Sequence, residues 1–194
     1  EYNGGTHMSM EDIGVLRSIP NMVIFEPVDN NQLRNLLPQI IDYKGPVYIR
    51  MFRKTTPDIF SEDEKFNLFK SKIIKSGEDV SIFCSGIMVS EVLEANKELE
   101  KLGINAEIIN VHTIKPLDEE TVINSAKKTK AVVTAENHNI IGGLRSAVAE
   151  TLSENCPVPL RSIGVRDTFG QVGKMPFLKE TYNMTAEDIV NAVL

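Results

Sequence analysis

The feature that most constrains the fold is a regular alternation of short apolar runs and amphipathic segments in the second part of the chain. The apolar runs, each of the length of a buried strand, are Val80 to Cys84, Ala106 to Val111, Ala131 to Ala135 and Leu160 to Val165. Segments with helical spacing separate them, and one of these, Met88 to Leu102, is followed by Gly103, the residue type that commonly ends a helix. Strands and helices in this order, joined by short connections, predict an α/β fold with a mostly parallel sheet covered on both faces.

The first fifty residues carry a shorter version of the same pattern. The predicted elements are a helix that begins with a capping box of Ser9 and Asp12, a strand from Met22 to Phe25, a helix capped by Asp29 or Asn30, and a strand from Val47 to Phe52. Two strands bury too little apolar surface to be stable alone. We therefore expect this segment to be the remainder of a larger domain, or to dock against something else.

A charged, turn-rich stretch separates the two parts. Residues 53–78 contain no long apolar period, and the most regular structure that they predict is a short hairpin around Lys70 to Ser76. The change in composition predicts three units, namely a partial α/β domain at 1–57, a linker at 58–78 and a complete α/β domain at 79–194.

Composition excludes several classes of function. The chain has 194 residues and a formal net charge of −6, which argues against a general binder of nucleic acids or anionic membranes. No apolar run approaches the ~18 residues of a membrane-spanning helix. Cys84 and Cys156 fall in or near apolar segments, so we expect reduced structural thiols, as in a cytoplasmic protein. They form no CxxC motif, so we expect no metal site.

His7 is the first candidate for chemistry. It follows an Asn-Gly-Gly-Thr turn and precedes the start of a helix, where exposed backbone N–H groups favour an anion. An imidazole in such a place can exchange protons or bind a hydroxyl group. The alternative is a solvated loop histidine, and the motif alone favours that alternative.

Two further groups of polar residues follow predicted strands. Arg53, with Lys54 beside it, comes just past a strand, where ligands gather in parallel sheets and where a guanidinium suits a phosphate, although position alone favours a surface cation. Glu136 to His138 form a predicted polar loop before Gly142 and Gly143, for which a structural or interface role is favoured over anion binding.

His112 and Asp118 complete the set of polar residues that the pattern singles out. His112 follows an apolar run and is predicted to be a hydrogen-bonded structural residue. Asp118 precedes a helical segment and is predicted to be its N-cap.

Several segments, taken in order, resemble the C-terminal half of transketolase. Asn3 to Met22 is similar to the family segment in which a Gly-Pro-Thr-His-Gln stretch precedes a helix. Gly45 to Arg53 is similar to the strand that closes the family's pyrimidine-binding domain. His112 to Val122, Val132 to Glu150 and Ile163 to Lys174 resemble its C-terminal domain. The resemblance covers essentially the whole chain.

The resemblance implies a fold and an activity. It implies a three-layer α/β C-terminal domain that follows part of a pyrimidine-binding domain. Transketolase moves a two-carbon ketol unit between sugar phosphates with thiamine diphosphate and Mg2+, as in the pentose phosphate pathway of carbohydrate metabolism. The implied partners are sugar phosphates and an N-terminal half or subunit that binds the cofactor, and the intact unit is implied to be a homodimer. The chain alone is expected to be inactive.

Three positions take their roles from the resemblance. His7 matches the catalytic histidine beside the donor hydroxyl and the reacting end of the cofactor, and Arg53 matches the arginine that binds the substrate phosphate. Asn3 stands where many members have an aspartate that contacts a sugar hydroxyl. Gly5 replaces the usual proline and Met8 the usual glutamine, which favours a divergent or split-subunit transketolase and leaves the exact substrate open.

Other functions remain open at this stage. Within the superfamily, they are 1-deoxyxylulose-5-phosphate synthase and the beta subunit of a 2-oxo acid dehydrogenase. A function of another class is a dimerisation or regulatory module without chemistry, above all for residues 79–194.

Overall fold

The computed structural model describes residues 4–194. Their strands are β1 Val23–Phe25, β2 Val47–Ile49, β3 Lys72–Lys75, β4 Val80–Cys84, β5 Ala106–Asn110, β6 Thr113–Lys115, β7 Val132–Asn139 and β8 Leu160–Val165. Their helices are α1 Asp12–Arg17, α2 Asn30–Asp42, α3 Met88–Lys101, α4 Glu119–Thr129, α5 Leu144–Asn155, α6 Met175–Thr181 and α7 Ala186–Val193, and a 3-10 turn at Gly4–Thr6 precedes them.

A five-stranded sheet forms the centre of the second part of the chain. Its order is β3-β5-β4-β7-β8, and all neighbours are parallel except β3, which runs antiparallel to β5. The α/β class and the mostly parallel sheet are thus confirmed, and β4 and β8 have the predicted bounds. Long apolar strands buried on both faces are the reason that the pattern located them well.

Helices cover this sheet on both faces and make three layers. Alternate residues of a strand point to opposite faces. Ile82 therefore packs with Val92 of α3 and Ile189 of α7, while its neighbour Phe83 packs with Val122 of α4 and Val148 of α5.

The two parts of the chain share a second, three-stranded sheet. Its order is β2-β1-β6, with β1 and β2 parallel and β6 antiparallel to β1. Because β6 follows β5 directly, the partial first domain is hydrogen-bonded to the second. The expectation that the first segment docks against something is met within this chain.

The predicted linker is partly a strand of the large sheet. The hairpin expected around Lys70 to Ser76 is wrong, because this region contributes a single strand, β3, to the edge of the sheet. The preceding residues wrap against α2, where Asn31, Asn35 and Gln39 donate side-chain hydrogen bonds to the carbonyl oxygens of Phe60, Glu64 and Phe66. The low apolar content of this stretch concealed these contacts.

Two predicted helix caps differ in detail. Ser9 does not cap α1, whose N-cap is Glu11, and the Ser9 hydroxyl donates to the Glu11 carboxylate instead. Asp118 occupies the N-cap position of α4, but its carboxylate accepts from Lys70, from the Ser71 backbone N–H and from the Thr121 hydroxyl. Asp118 therefore ties the start of α4 to the segment before β3.

Two remaining observations concern the cysteines and the membrane. Cys84 and Cys156 are both free thiols, and burial raises the pKa of Cys84. None of the helices within residues 4–194 has the length and apolar character needed to cross a membrane.

Candidate functional site

His7 and Arg53 line the same cavity. Its volume is about 270 Å³, and it lies where the first segment of the chain meets the second domain. Much of its wall is methionine, a flexible and polarisable side chain that adapts to ligand shape, and the methionines are Met8, Met10, Met88, Met175 and Met184. Polar groups reach it from both domains, namely His7, Arg53, Lys54, Asn137, Gln171, Lys179 and Tyr182.

A tight turn presents His7. The backbone N–H groups of His7 and Met8 both donate to the Gly4 carbonyl at 3.1 Å, which closes the 3-10 turn. The imidazole Nδ1 lies 2.8 Å from the Thr6 hydroxyl, and Nε2 has no hydrogen-bond partner among the residues that the structure describes. The side chain is exposed, so one ring nitrogen is available to a ligand.

Arg53 and Lys54, which come after β2, also line the cavity. Both residues are exposed, and both also line a second cavity of about 240 Å³ beside Asn30 at the start of α2. Arg53 makes at least one interaction in the structure. Asn3, the third predicted site residue, lies outside the described residues.

The second domain reaches the His7 turn through a backbone contact between two glycines. A Cβ atom added to Gly5 would lie 2.3 Å from the carbonyl carbon of Gly170, so neither position has room for a side chain. The Gly5 N–H donates to the Gln171 carbonyl at 3.0 Å. A proline at position 5 could not make this bond, since it has no N–H. Gly5, which stands where the family has a proline, therefore permits both the close contact and the hydrogen bond with the loop 166–174.

A buried ionic cluster centred on Arg50 lies next to Asn137, which lines the cavity. Its guanidinium donates to Glu26 at 2.5 Å and to Asp12 at 2.8 Å, and each of the three side chains is at most 12 % exposed. Burial opposes the charge of Arg50, but the two carboxylates outweigh it and raise its pKa. The same guanidinium also donates to the carbonyl oxygens of Ser9 and Asn137, at 2.9 and 3.0 Å.

This cluster joins the elements that carry the cavity. Ser9 follows the His7 turn, and Asn137 belongs to β7 of the second domain. Glu26 follows β1 and lies against Gly86, where a Cβ would be 2.7 Å from the Glu26 carboxyl carbon. Arg50 thus fixes the position of the first segment relative to the carboxyl ends of β4 and β7.

Glu136 and His138 are not in a loop, as the sequence predicted, but inside β7 and fully buried. Glu136 accepts hydrogen bonds from the backbone N–H groups of Leu144 and Arg145, at 2.6 and 2.9 Å, and so caps α5. Burial raises its pKa to about 8, although these two bonds oppose the shift. The favoured structural role of this segment agrees with these contacts.

His138 binds α1 to the second domain. Its Nδ1 lies 2.6 Å from the Asn139 carbonyl, and its Nε2 accepts from the Gly14 N–H at 3.4 Å. These partners assign a neutral ring with the proton on Nδ1, in agreement with the lowering of its pKa by burial.

His112 is also structural, as predicted. It is completely buried, its Nε2 lies 3.0 Å from the Asn67 carbonyl, and burial lowers its pKa to about 4.

Two family models cover nearly all of the chain. The model of the transketolase C-terminal domain matches residues 70–189, and that of the transketolase pyrimidine-binding domain matches residues 1–58. The chain belongs to the transketolase family. The transketolase resemblance of the sequence is thereby confirmed.

Similar proteins of this family include subunits of split enzymes. A 6-deoxy-6-sulfo-D-fructose transketolase subunit of Clostridium sp. (strain MSTE9) is 57% identical over 99% of this chain and 60% of its own length. A solved structure described as a split gene transketolase, inactive beta4 tetramer, has a TM-score of 0.94 and 44% identity, over 98% of this chain and 63% of that one. The chain thus spans about three fifths of the length of these relatives.

Synthases of the same superfamily are similar as well. The 1-deoxy-D-xylulose-5-phosphate synthase of Heliobacterium modesticaldum is 35% identical over 96% of this chain and 29% of its own length.

The family implies thiamine diphosphate, and the cavity offers polar groups for part of such a site. His7 and Arg53 have the chemistry to hold a hydroxyl and an anionic group of a substrate. Within residues 4–194, no group of three or more His, Cys, Asp or Glu residues could hold a metal ion. The described residues thus offer groups for a hydroxyl and an anionic group at the cavity and no cluster of metal ligands.

The sequence analysis missed the Arg50 cluster and the glycine contact. Glu26 carried a signal for the cluster, since it follows the predicted strand Met22 to Phe25 directly, as catalytic and binding residues do in parallel sheets. Arg50 carried none, because the predicted strand Val47 to Phe52 ran past it, whereas β2 ends at Ile49. No local signal marks the contact of Gly5 with Gly170, because it joins distant parts of the chain.

Proposed function

We propose that this chain is the substrate-binding section of a two-subunit transketolase and that a partner subunit holds the diphosphate end of the cofactor. The observation that carries the proposal is the single cavity that His7 and Arg53 share, since a ketose must meet both a hydrogen-bonding group and an anion-binding group. The relatives that are subunits of split transketolases support the division into two polypeptides. The active unit is a dimer of such pairs.

The substrate is a ketose with an anionic terminal group. A guanidinium binds two oxygens of a sulfonate or a phosphate at once, and the neighbouring Lys54 adds positive charge. Because the relative with 57% identity acts on 6-deoxy-6-sulfo-D-fructose, a sulfonated ketose is the first candidate donor and a sugar phosphate the second.

His7 forms hydrogen bonds with the hydroxyl groups of the donor. The Thr6 hydroxyl at Nδ1 restrains the ring, so that Nε2 can donate to or accept from a substrate hydroxyl. Thiamine diphosphate with Mg2+ would supply the electron sink for cleavage of the carbon–carbon bond.

Other functions of the superfamily differ in their acceptor or donor. A 1-deoxyxylulose-5-phosphate synthase and a 2-oxo acid dehydrogenase both use a 2-oxo acid such as pyruvate, whereas a transketolase uses an aldose and a ketose. A module that serves only for dimerisation does not need polar groups from both domains around one cavity, and this favours the catalytic role.

The test is an assay of the protein with and without its partner subunit. The two are purified separately and mixed with thiamine diphosphate, Mg2+, an aldose phosphate and one of three donors: 6-deoxy-6-sulfo-D-fructose, fructose 6-phosphate or pyruvate. We expect turnover of an anionic ketose by the mixture and none by this protein alone. The proposal would be contradicted if pyruvate were the only one of the three donors to be turned over. Normal turnover by this protein without its partner would contradict it as well.

A further inference from the structure

The cavity lies at the topological switch point of the large sheet. From β4 the chain passes through α3 to β5 on one side, and it later returns to β7 on the other side of β4. Open α/β sheets bind ligands in the crevice where neighbouring connections diverge in this way. Ile87 and Met88, which follow β4, and Asn137 of β7 line the cavity at this crevice. The carboxyl edge of the large sheet, where such folds bind ligands, therefore lines the same cavity as His7.

The loop 166–174 forms another part of the cavity wall. Gln171 and Gly173 of the loop line the cavity, together with Tyr182. The amide side chain of Gln171 has no hydrogen-bond partner within residues 4–194, although both of its backbone groups are bonded. A primary amide offers donors and an acceptor together, which is the combination that binds sugar hydroxyls.

Specific contacts hold this loop in place. The Tyr182 hydroxyl accepts from the Gln171 N–H at 2.7 Å and donates to the Phe169 carbonyl at 3.2 Å. The Gln171 carbonyl in turn accepts from the Gly5 N–H, and Gly170 lies directly against Gly5. The backbone of Gln171 is thus fixed to the turn that carries His7, and its exposed side chain extends from this fixed point.

We propose that Gln171 is a specificity-determining residue of the substrate site, where its amide binds a hydroxyl group of the sugar. Tyr182 acts as a positioning residue for Gln171. The proposal rests on the function proposed above and extends the substrate site into the C-terminal domain.

The first experiment compares Gln171→Ala with the matched variant Val172→Ala in the same loop, which removes an exposed side chain that does not line the cavity. Both are assayed in the enzyme assembled with its partner, with the natural sugars and with analogues that each lack one hydroxyl. We expect Gln171→Ala to raise KM by about five- to tenfold with little change in kcat. For one deoxy analogue the variant and the wild type should have the same KM, because the hydroxyl that Gln171 binds is missing from that analogue.

The second experiment compares Tyr182→Phe with Tyr43→Phe, whose hydroxyl makes a long bond of 3.4 Å to Asn21 away from the cavity. Trypsin cleavage after Arg166 and Lys174 reports the freedom of the loop without any assay of activity. Tyr182→Phe should speed this cleavage and raise KM for the same sugars, whereas Tyr43→Phe should do neither. These readouts separate positioning from a general loss of stability.

The results distinguish this proposal from the proposed function. If the wild type is active and both Gln171→Ala and Tyr182→Phe leave KM unchanged, the proposed role of Gln171 is overturned while the proposed function stands. A wild-type assembly that turns over no ketose overturns the proposed function, and the role of Gln171 falls with it.

Discussion

Arg50 and Glu26 form a buried ion pair, with 2.5 Å between Nη1 and Oε1, at the place where the two sheets of the molecule meet. Arg50 follows β2, Glu26 follows β1, and the pair lies against Gly86 after β4. Asp12 of α1 provides the second carboxylate. One guanidinium therefore donates hydrogen bonds to two carboxylates and to two backbone carbonyls from different parts of the chain.

Replacement of Arg50 by Met is expected to destabilise the fold strongly. The change leaves Glu26 and Asp12 buried without a counter-charge, which typically costs about 3–5 kcal/mol. Urea denaturation measures the change, with Arg34→Ala on the exposed side of α2 as the control. We expect the control to shift the free energy of unfolding by less than about 0.5 kcal/mol. If Arg50→Met and Arg34→Ala changed the free energy of unfolding equally, the cluster would contribute nothing to stability.

Gly142 is expected to be intolerant of a side chain because of its contact with α1. Gly142 and Gly103 both have positive φ, 82° and 77°, so alanine is strained to a similar extent at each. A Cβ on Gly142 would lie 2.8 Å from the Gly14 Cα, whereas one on Gly103 meets nothing within 4 Å. Gly142→Ala should therefore be less stable than Gly103→Ala by about 1–3 kcal/mol. Equal losses of thermal stability in the two variants would show that α1 does not pack against the loop before α5.

Glu136 is expected to make stability depend on pH. Burial raises its pKa to about 8 in the folded protein, whereas a carboxyl in the unfolded chain titrates near ~4.3. The folded protein then binds more protons than the unfolded chain between these values, so the contribution of Glu136 is full below about pH 4 and is lost as pH rises to 8.

The comparison of wild type with Glu136→Gln isolates this contribution, because other groups titrate in both proteins alike. Gln keeps an acceptor for one of the two N–H groups of α5 but does not ionise. We expect the stability advantage of the wild type, measured by urea unfolding, to shrink from pH 5 to pH 8. An advantage that grows over this range would mean that the two backbone hydrogen bonds keep the carboxylate ionised.

The regular part of the fold could be predicted from sequence because its signals are local. The strand β4 and the helix α3 have long apolar patterns and a clear glycine stop at Gly103. The strand β6 has three residues, and its pairing with β1 depends on a distant part of the chain. The strand β7 extends through Glu136 and His138, whose polarity suggested a loop although both are buried with hydrogen-bond partners.

The candidate site could be predicted only in part. His7 and Arg53 were candidates from their positions in the sequence, the resemblance to transketolase gave them their roles, and they line one cavity. The contribution of Gln171 and Tyr182 could not be predicted, because it follows from a backbone contact between Gly5 and Gly170 that depends on the complete tertiary structure. Local pattern carries no information about such a contact.

The most direct test of the account is the steady-state kinetics of Arg53→Ala in the assembled enzyme, with a pair of ketose donors that differ only in the terminal group. One donor carries a sulfonate or phosphate, and the other carries a hydroxyl. If Arg53 binds the anionic end, kcat/KM should fall by about 30-fold or more for the charged donor and should hardly change for the neutral one. An equal loss for both donors, or no loss for either, would contradict the assignment of this cavity as the substrate site.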